Sequence, residues 1–232
     1  MGLVTDLLLP CSRWRQRQRI KGEVILLLDG LEVGRSPNLF VDGGYQRMAR
    51  FLAGVSPAPP SYIAVGNGDG SALGVAVVPG SGDVALGFEW CRRPVMSGGV
   101  ISGHTARLAA TFLAGDAQRH LTEVGLFASA GDTGTVTSAT TLTVTDTSKN
   151  WQVNQWVGAW IYILTGTAAG GRQNIIANTA TQISMGSALA PAPAAADTYL
   201  IGPTDMFAHS SIDLTKGAQA LTVIWQLTVP TP

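Results

Sequence analysis

The chain has few charged residues, and this shortage bears on its tendency to associate in solution. Only 13% of its 232 residues are charged, about half the usual share for a soluble domain, and the formal net charge is zero. A free monomer with so few charges is weakly protected against association, which favours a surface covered by partners. A monomer coated with uncharged polar side chains is the alternative.

Cysteine and histidine are also scarce. The two cysteines, Cys11 and Cys91, form no paired metal-binding motif, so free thiols are predicted, with a disulfide between them as the alternative. The three histidines lack metal-ligand spacing, and no Gly-x-Ser-x-Gly motif is present. We therefore predict that the protein is not an enzyme and has no catalytic residues, no metal and no cofactor. The alternative is an enzyme whose catalytic triad is assembled from residues distant in sequence.

Long apolar runs are absent as well. None reaches the roughly 18–20 residues that a membrane helix needs, so no membrane span is predicted. Near the start, a short apolar stretch precedes the arginines, which is the reverse of a secretory signal. We expect a protein that is made in the cytoplasm and is not exported by the general secretory route.

A basic stripe marks residues 1–21. Its members recur at every second position and would share one face of an extended chain: Arg13, Arg15, Arg17, Arg19 and Lys21. No aromatic stacking set accompanies them, so binding to nucleic acid is the weaker interpretation. The segment is predicted to be a basic arm that docks on a partner protein.

The remaining pattern is mainly β. Residues 22–33 predict a hairpin with Asp29-Gly30 at its turn, and 221–229 alternate strictly between apolar and polar side chains. One helix is predicted at about 43–53, capped by Asp42, ended by Gly54, and packed on a sheet through an apolar stripe. The members of that stripe are Tyr45, Met48 and Leu52.

A Thr/Ala/Gly-rich segment, 131–203, interrupts this pattern. The residues before it, 121–127, and those after it, 206–210, resemble neighbouring strands, so they are predicted to pair antiparallel with the segment emerging between them. Five short strands within the segment predict a small barrel or sandwich. Three of its tryptophans are candidate glycan contacts, although most tryptophans in a small β-domain belong to the core: Trp151, Trp156 and Trp160.

Together these patterns predict a mainly β protein in three parts. A basic N-terminal arm occupies 1–21, and an antiparallel β-sandwich-like docking domain with one short helix is built from 22–130 and 204–232. An inserted β-module occupies 131–203.

Several segments, in this order along the chain, carry a resemblance to a known family. They are Asn38-Leu-Phe-Val-Asp-Gly-Gly-Tyr45, Phe51-Leu-Ala-Gly54, Tyr62-Ile-Ala-Val-Gly-Asn-Gly68, Glu89-Trp-Cys-Arg92, Leu121-Thr-Glu-Val-Gly-Leu-Phe127, Met206-Phe-Ala-His-Ser210 and Lys216. This order resembles a family of tailed-bacteriophage virion proteins of tails, baseplates and fibres. The inserted segment separately resembles a β-module of phage structural proteins, with a looser match at Ala169-Gly-Gly-Arg172.

The resemblance implies a structural function. We expect a virion protein of the tail, baseplate or fibre-attachment region that forms a homo-oligomer, a trimer or ring, and docks on other virion proteins. Two alternatives stay open: a carbohydrate-binding module that contacts a host surface glycan, and a capsid decoration protein.

Overall fold

The structure, a computed structural model, describes residues 21–55, 57–96 and 100–229. The elements follow one another as β1 (Lys21–Leu28), β2 (Leu31–Pro37), β3 (Leu39–Phe40), α1 (Asp42–Leu52), β4 (Tyr62–Gly66), β5 (Glu89–Pro94), β6 (Val100–Ser102), β7 (Thr105–Phe112), β8 (His120–Phe127), β9 (Asp132–Thr135), β10 (Ser138–Ala139), β11 (Thr143–Thr145), β12 (Trp160–Ile163), β13 (Arg172–Asn178), β14 (Gln182–Met185), β15 (Thr198–Gly202), β16 (Met206–Thr215) and β17 (Leu221–Thr228). The protein is therefore mainly β with one helix among the described residues, as predicted.

Two five-stranded antiparallel sheets face each other. The first has the order β2–β1–β17–β7–β6 and the second has the order β3–β16–β8–β4–β5. One apolar cluster lies between them and takes Trp225 and Phe112 from the first sheet and Ile63 and Leu126 from the second. The predicted antiparallel β-sandwich-like fold is confirmed.

Local sequence signals explain the first sheet. Asp29 and Gly30 both have positive φ angles, 47° and 84°, which suits the turn that joins two twisted strands. In β17 the side chains of Leu221, Val223 and Trp225 are buried and those between them are half-buried, which is the predicted alternation. The sequence pattern predicts one strand over residues 100–113, but these residues contain the hairpin β6–β7 because Gly103 turns the chain with a φ of 57°.

The predicted pairing across the interruption is confirmed. β8 and β16 pair antiparallel, with Phe127 opposite Met206 and Gly125 opposite His209, although 131–203 lies between them in sequence. The division of the chain into a docking domain and an inserted module remains a prediction.

A third sheet is built wholly from residues 132–202. It contains seven strands rather than the five that were predicted, in the order β10–β11–β14–β13–β12–β15–β9. The strands at the two ends of this order, β9 and β10, are joined by only Val136 and Thr137, so the sheet curls back on itself. Its inner side surrounds its own apolar cluster, which includes Ile161, Ile183 and Tyr199.

Candidate docking surface

Helix α1 lies against strand β16 because small residues let the two backbones approach. A Cβ atom on Gly44 would come within 2.2 Å of the Phe207 carbonyl oxygen. The Val41 N–H donates to that same carbonyl oxygen at 3.1 Å. Asp42 begins the helix and makes no capping hydrogen bond, so its predicted capping role is wrong; Val41 is the capping residue.

The C-terminal half of α1 leaves large apolar side chains in solvent. Phe51 is 69% exposed and Leu52 is 83% exposed. Leu52 was predicted to pack on a sheet, and this is wrong because the chain turns away at Gly54, whose φ is 78°. Only Met48 of the predicted stripe packs against the core between the sheets, since Tyr45 is 42% exposed.

Phe51 and Met48 border an apolar groove of about 320 Å³. One wall is α1 and the other is the proline-rich segment 57–60, and Phe207 of β16 is part of the lining. Proline side chains are rigid and cannot donate backbone hydrogen bonds, so this wall offers apolar contact with little conformational cost. We define the α1 groove as the surface lined by Met48, Phe51, Pro57, Pro59 and Phe207.

A charged cleft of about 380 Å³ lies beside α1. It contains three carboxylates and two arginines: Asp42, Asp83, Asp205, Arg47 and Arg50. The Arg47 guanidinium carbon lies 5.3 Å from the centre of the Phe207 ring, and its Nη2 lies 3.9 Å from Asp205 Oδ2. An apolar centre with a polar border is the usual anatomy of a protein–protein interface.

Buried charged side chains near this cleft connect a long loop to the second sheet. Fully buried Glu123 accepts hydrogen bonds from the backbone N–H groups of Gly68, Gly87 and Phe88 at 2.8 to 2.9 Å. His209 Nε2 lies 3.2 Å from Glu123 Oε2, and its Nδ1 lies 2.7 Å from Asp83 Oδ2. The cluster therefore ties the long 67–88 connection to strands β8 and β16.

The two carboxylates also set the charge of His209. Burial alone would lower the pKa of His209, but its contacts with the Glu123 and Asp83 carboxylates outweigh this effect and raise the pKa above the usual 6.5. The imidazole thus lies between two acids, which favours its charged form.

The third sheet packs firmly against the sandwich. Phe88 and Trp90 form an apolar cluster with Tyr162 and Leu200, and the Tyr162 hydroxyl donates to the Leu86 carbonyl oxygen at 3.3 Å. We call this cluster the junction. Arg172 also donates to the Gly87 carbonyl oxygen.

A buried ion pair lies next to the junction. Arg92 donates to both carboxylate oxygens of Glu89 at 2.7 Å, and its guanidinium carbon lies 3.9 Å from the centre of the Phe127 ring. Burial alone would lower the pKa of Arg92, but the Glu89 carboxylate reverses this and holds the pKa above its ordinary value.

Of the site residues predicted from the sequence, the structure describes Lys21, Trp151, Trp156 and Trp160, and none of these four lines the α1 groove. Arg13, Arg15, Arg17 and Arg19 lie outside the described residues, and so does Cys11, so neither the arm nor a Cys11–Cys91 disulfide is tested. Lys21 begins β1. Burial raises the pKa of the Cys91 thiol to about 12.

The three candidate tryptophans do not share one surface. Trp151 is buried, and its Nε1 donates to Asp132 Oδ2 at 2.7 Å. Trp156 is half-buried against the cluster of the third sheet, whereas half-buried Trp160 packs at the junction with the Arg172 guanidinium carbon 4.9 Å from its ring centre. Their contact with a glycan remains a prediction.

Sequence reasoning missed the α1 groove and the Glu123–His209–Asp83 cluster. The exposed pair Phe51-Leu52 followed by prolines was a usable signal for the groove. The cluster had none, because Asp83 and His209 lie 126 positions apart.

Residues 21–55, 57–96 and 100–229 contain neither a metal-binding cluster nor a membrane-spanning helix. Within them, no group of three or more His, Cys, Asp or Glu side chains could hold a metal ion. No helix in this part of the chain is long and apolar enough to cross a membrane. Comparison of the chain with protein-family models gave no match, and comparison with curated proteins gave none either.

Proposed function

We propose that this protein is a structural component of a bacteriophage virion, from the tail, baseplate or fibre-attachment region. It acts by docking on neighbouring virion proteins and by assembling with copies of itself, as a trimer or ring. It is not an enzyme in this proposal, and its place of function is the virion. The order of sequence motifs from Asn38 to Lys216 supports the virion context.

The observation that carries the proposal is the α1 groove. An exposed Phe51, a rigid proline wall and an adjacent charged cleft together supply an apolar contact area with a polar border. Aromatic side chains that fill such areas dominate binding energy at protein interfaces. Solvent exposure of this surface is costly unless a partner covers it.

The test is the location of the protein in purified particles. The chain would carry a small epitope tag, and gold-labelled antibody would be imaged on intact particles alongside mass spectrometry of the same preparation. We expect the label at the tail or baseplate at a fixed copy number. Label on the head would favour the capsid decoration alternative, and absence from washed particles would contradict a virion function.

One further cleft supports the carbohydrate-binding alternative. Trp156 and Gln155 line an opening of about 470 Å³ together with Asp205, and a half-buried tryptophan beside polar side chains can stack on a sugar ring. Glycan-array binding that is lost in Trp156→Ala but retained in Val153→Ala, an exposed neighbour, would support this function. Absence of binding by the wild-type protein would remove it.

A further inference from the structure

The first sheet has an outer side that faces away from the core. Its inner side supplies Phe112 and Trp225 to the apolar cluster between the sheets, so the side chains that alternate with these point outward. We define the outer face as the outward side chains of three ranges: 23–27 of β1, 222–228 of β17 and 105–111 of β7. They are half-buried or exposed, apart from buried Ile25, and none of them lines the α1 groove.

A charged row crosses the outer face. β17 is the middle strand of the sheet, and its Gln226 lies opposite Glu23 of β1 on one side and opposite Arg107 of β7 on the other. Arg107 Nε donates to Gln226 Oε1 at 2.8 Å, and no described acidic side chain pairs with this arginine. Glu23 pairs with Arg35 of β2, which also pairs with Glu32. Because that cluster keeps one net negative charge, the row is negative at one end and positive at the other.

An apolar row runs beside the charged row. Half-buried Ile224 of β17 lies opposite Ile25 of β1 and opposite Ala109 of β7. In the next row Leu27 lies opposite Thr222. An antiparallel sheet whose second side faces water normally carries polar side chains there. The centre of the outer face therefore has the composition of a surface that another layer covers.

The two ends of the charged row complement each other in a second copy of the chain. A two-fold axis along β17, in the plane of the outer face, places the second copy against the first and exchanges the β1 side of the sheet with the β7 side. Arg107 of each copy then meets Glu23 of the other, and β17 lies on β17. Such an isologous contact needs one self-complementary surface, which the order Glu23, Gln226, Arg107 supplies. Opposite charges at matched positions also fix the register of the two faces.

The sheet is large enough for a contact of this kind. β17 has 8 residues, which corresponds to a length of about 26 Å, and the 5 strands span about 24 Å across the sheet. Each copy therefore offers roughly 600 Å², and a pair of copies buries roughly 1,200 Å² in total, the lower limit of specific protein–protein interfaces. An interface of this size with an apolar centre predicts association in the micromolar range.

We propose that two copies of this protein associate through their outer faces about a two-fold axis along β17. Ile224 and Thr222 of one copy pack against the same residues of the other, and two Arg107–Glu23 pairs flank them. The inference deepens the proposed self-assembly, on which it rests for its setting, and it uses a surface separate from the α1 groove. In an assembly of trimers or rings, this contact joins two trimers or two rings through two-fold axes.

Charge reversal in the full chain tests the paired ends of the row. In sedimentation equilibrium at about 100 μM, Arg107→Glu should have half the mass of the wild type, because a glutamate then faces Glu23 at both ends. Mixing Arg107→Glu with Glu23→Arg should restore the wild-type mass, since each variant offers the charge that the other needs. Arg50→Glu, on an exposed arginine of α1, is the control and should keep the wild-type mass. Equal masses for the wild type and Arg107→Glu, or a mixture that stays at the lower mass, would overturn the proposal.

Cross-linking at the axis provides a second readout. Packed sheets lie about 10 Å apart, farther than a disulfide spans, so a short bismaleimide would join cysteines introduced by Thr222→Cys in a chain that also carries Cys11→Ser and Cys91→Ala. The matched control is Leu73→Cys in the same background, since Leu73 is 82% exposed outside the outer face, and circular dichroism would verify both folds. We expect at least about tenfold more covalent dimer from position 222 than from position 73. Equal yields would overturn the proposal.

The two proposals fail separately. A protein that pairs in this way but is absent from particles would refute only the proposed function. A protein that enters particles, but whose mass is the same with and without Arg107→Glu, would refute only the contact between outer faces.

Discussion

At the scale of single residues, buried charges in this protein hold connections in place. Glu123 accepts hydrogen bonds from three backbone N–H groups and also faces His209. Hydrogen bonds to an ionised carboxylate are roughly twice as strong as those between neutral groups. The long connection between β4 and β5 therefore depends on one side chain of another strand.

Replacing Glu123 by glutamine should destabilise the fold by about 2–4 kcal/mol. The glutamine NH2 group would point a donor at one of the backbone N–H groups that now donate to Glu123. The substitution would also remove the negative charge beside His209. Urea unfolding monitored by fluorescence would measure the change. Glu32→Gln is the matched control, since Glu32 lies on the surface with Arg35 and should change the midpoint little; equal losses in the two variants would contradict this role of Glu123.

The raised pKa of His209 gives a dependence of stability on pH. A histidine whose pKa is higher in the folded state stabilises the protein fully below its unfolded pKa of about 6.5. That contribution is lost as the pH rises through the folded pKa. The difference in unfolding free energy between the wild type and His209→Asn should therefore shrink as the pH rises above about 6.5 and through the folded pKa. A difference that is constant or grows over this range would show that Asp83 and Glu123 do not hold the charged imidazole.

At the scale of elements, α1 is positioned by glycine. Gly44 faces β16, and any side chain there would meet the Phe207 carbonyl oxygen. Gly44→Ala should cost about 1–3 kcal/mol because the helix must move away from the strand. Gly115→Ala is the control, since no atom lies within 4 Å of the added Cβ. Equal thermal midpoints for the two variants would refute this close approach.

Sequence patterns predicted the elements whose signals are local. The alternation at Leu221–Thr228 and the Asp29-Gly30 turn each follow from neighbouring residues, and both were confirmed. The pairing of β8 with β16 was predicted from composition, because the flanking strands differ so clearly from the segment between them.

Features that depend on distant partners were missed. Leu52 continues the apolar stripe of α1 but is 83% exposed, so no other described element covers it. Short strands such as Ser138–Ala139 exist because they pair with a neighbour, so their residues carry little signal of their own. The ion pairs of His209 likewise form only when β16 meets β8 and the 67–88 connection.

At the scale of the whole molecule, the third sheet and the sandwich share a buried junction. Tyr162 and Leu200 from one side pack with Phe88 and Trp90 from the other, and the buried Glu89–Arg92 pair lies alongside. Apolar contact of this kind couples the unfolding of the two parts. We therefore expect the wild type to unfold in one cooperative transition.

Removing the Tyr162 side chain should break that coupling. Tyr162→Ala creates a cavity at the junction and should cost about 3–5 kcal/mol, with unfolding separating into two transitions. Calorimetry with tryptophan fluorescence would detect the separation. Two transitions already present in the wild type would contradict the coupling, and Tyr45→Ala, an exposed aromatic on α1, is the control.

We propose that the α1 groove docks this protein on its neighbours in the virion. The most direct measurement is competition for incorporation: tagged Phe51→Glu, tagged Leu73→Glu and tagged wild type are each supplied during particle assembly, and the tag in purified particles is quantified. Both substitutions place a charge on an exposed apolar position, so stability should change by no more than about 0.5 kcal/mol in either variant. We predict that Phe51→Glu enters particles at least about tenfold less than the wild type, while Leu73→Glu enters normally. Equal incorporation of the two variants would contradict the claim.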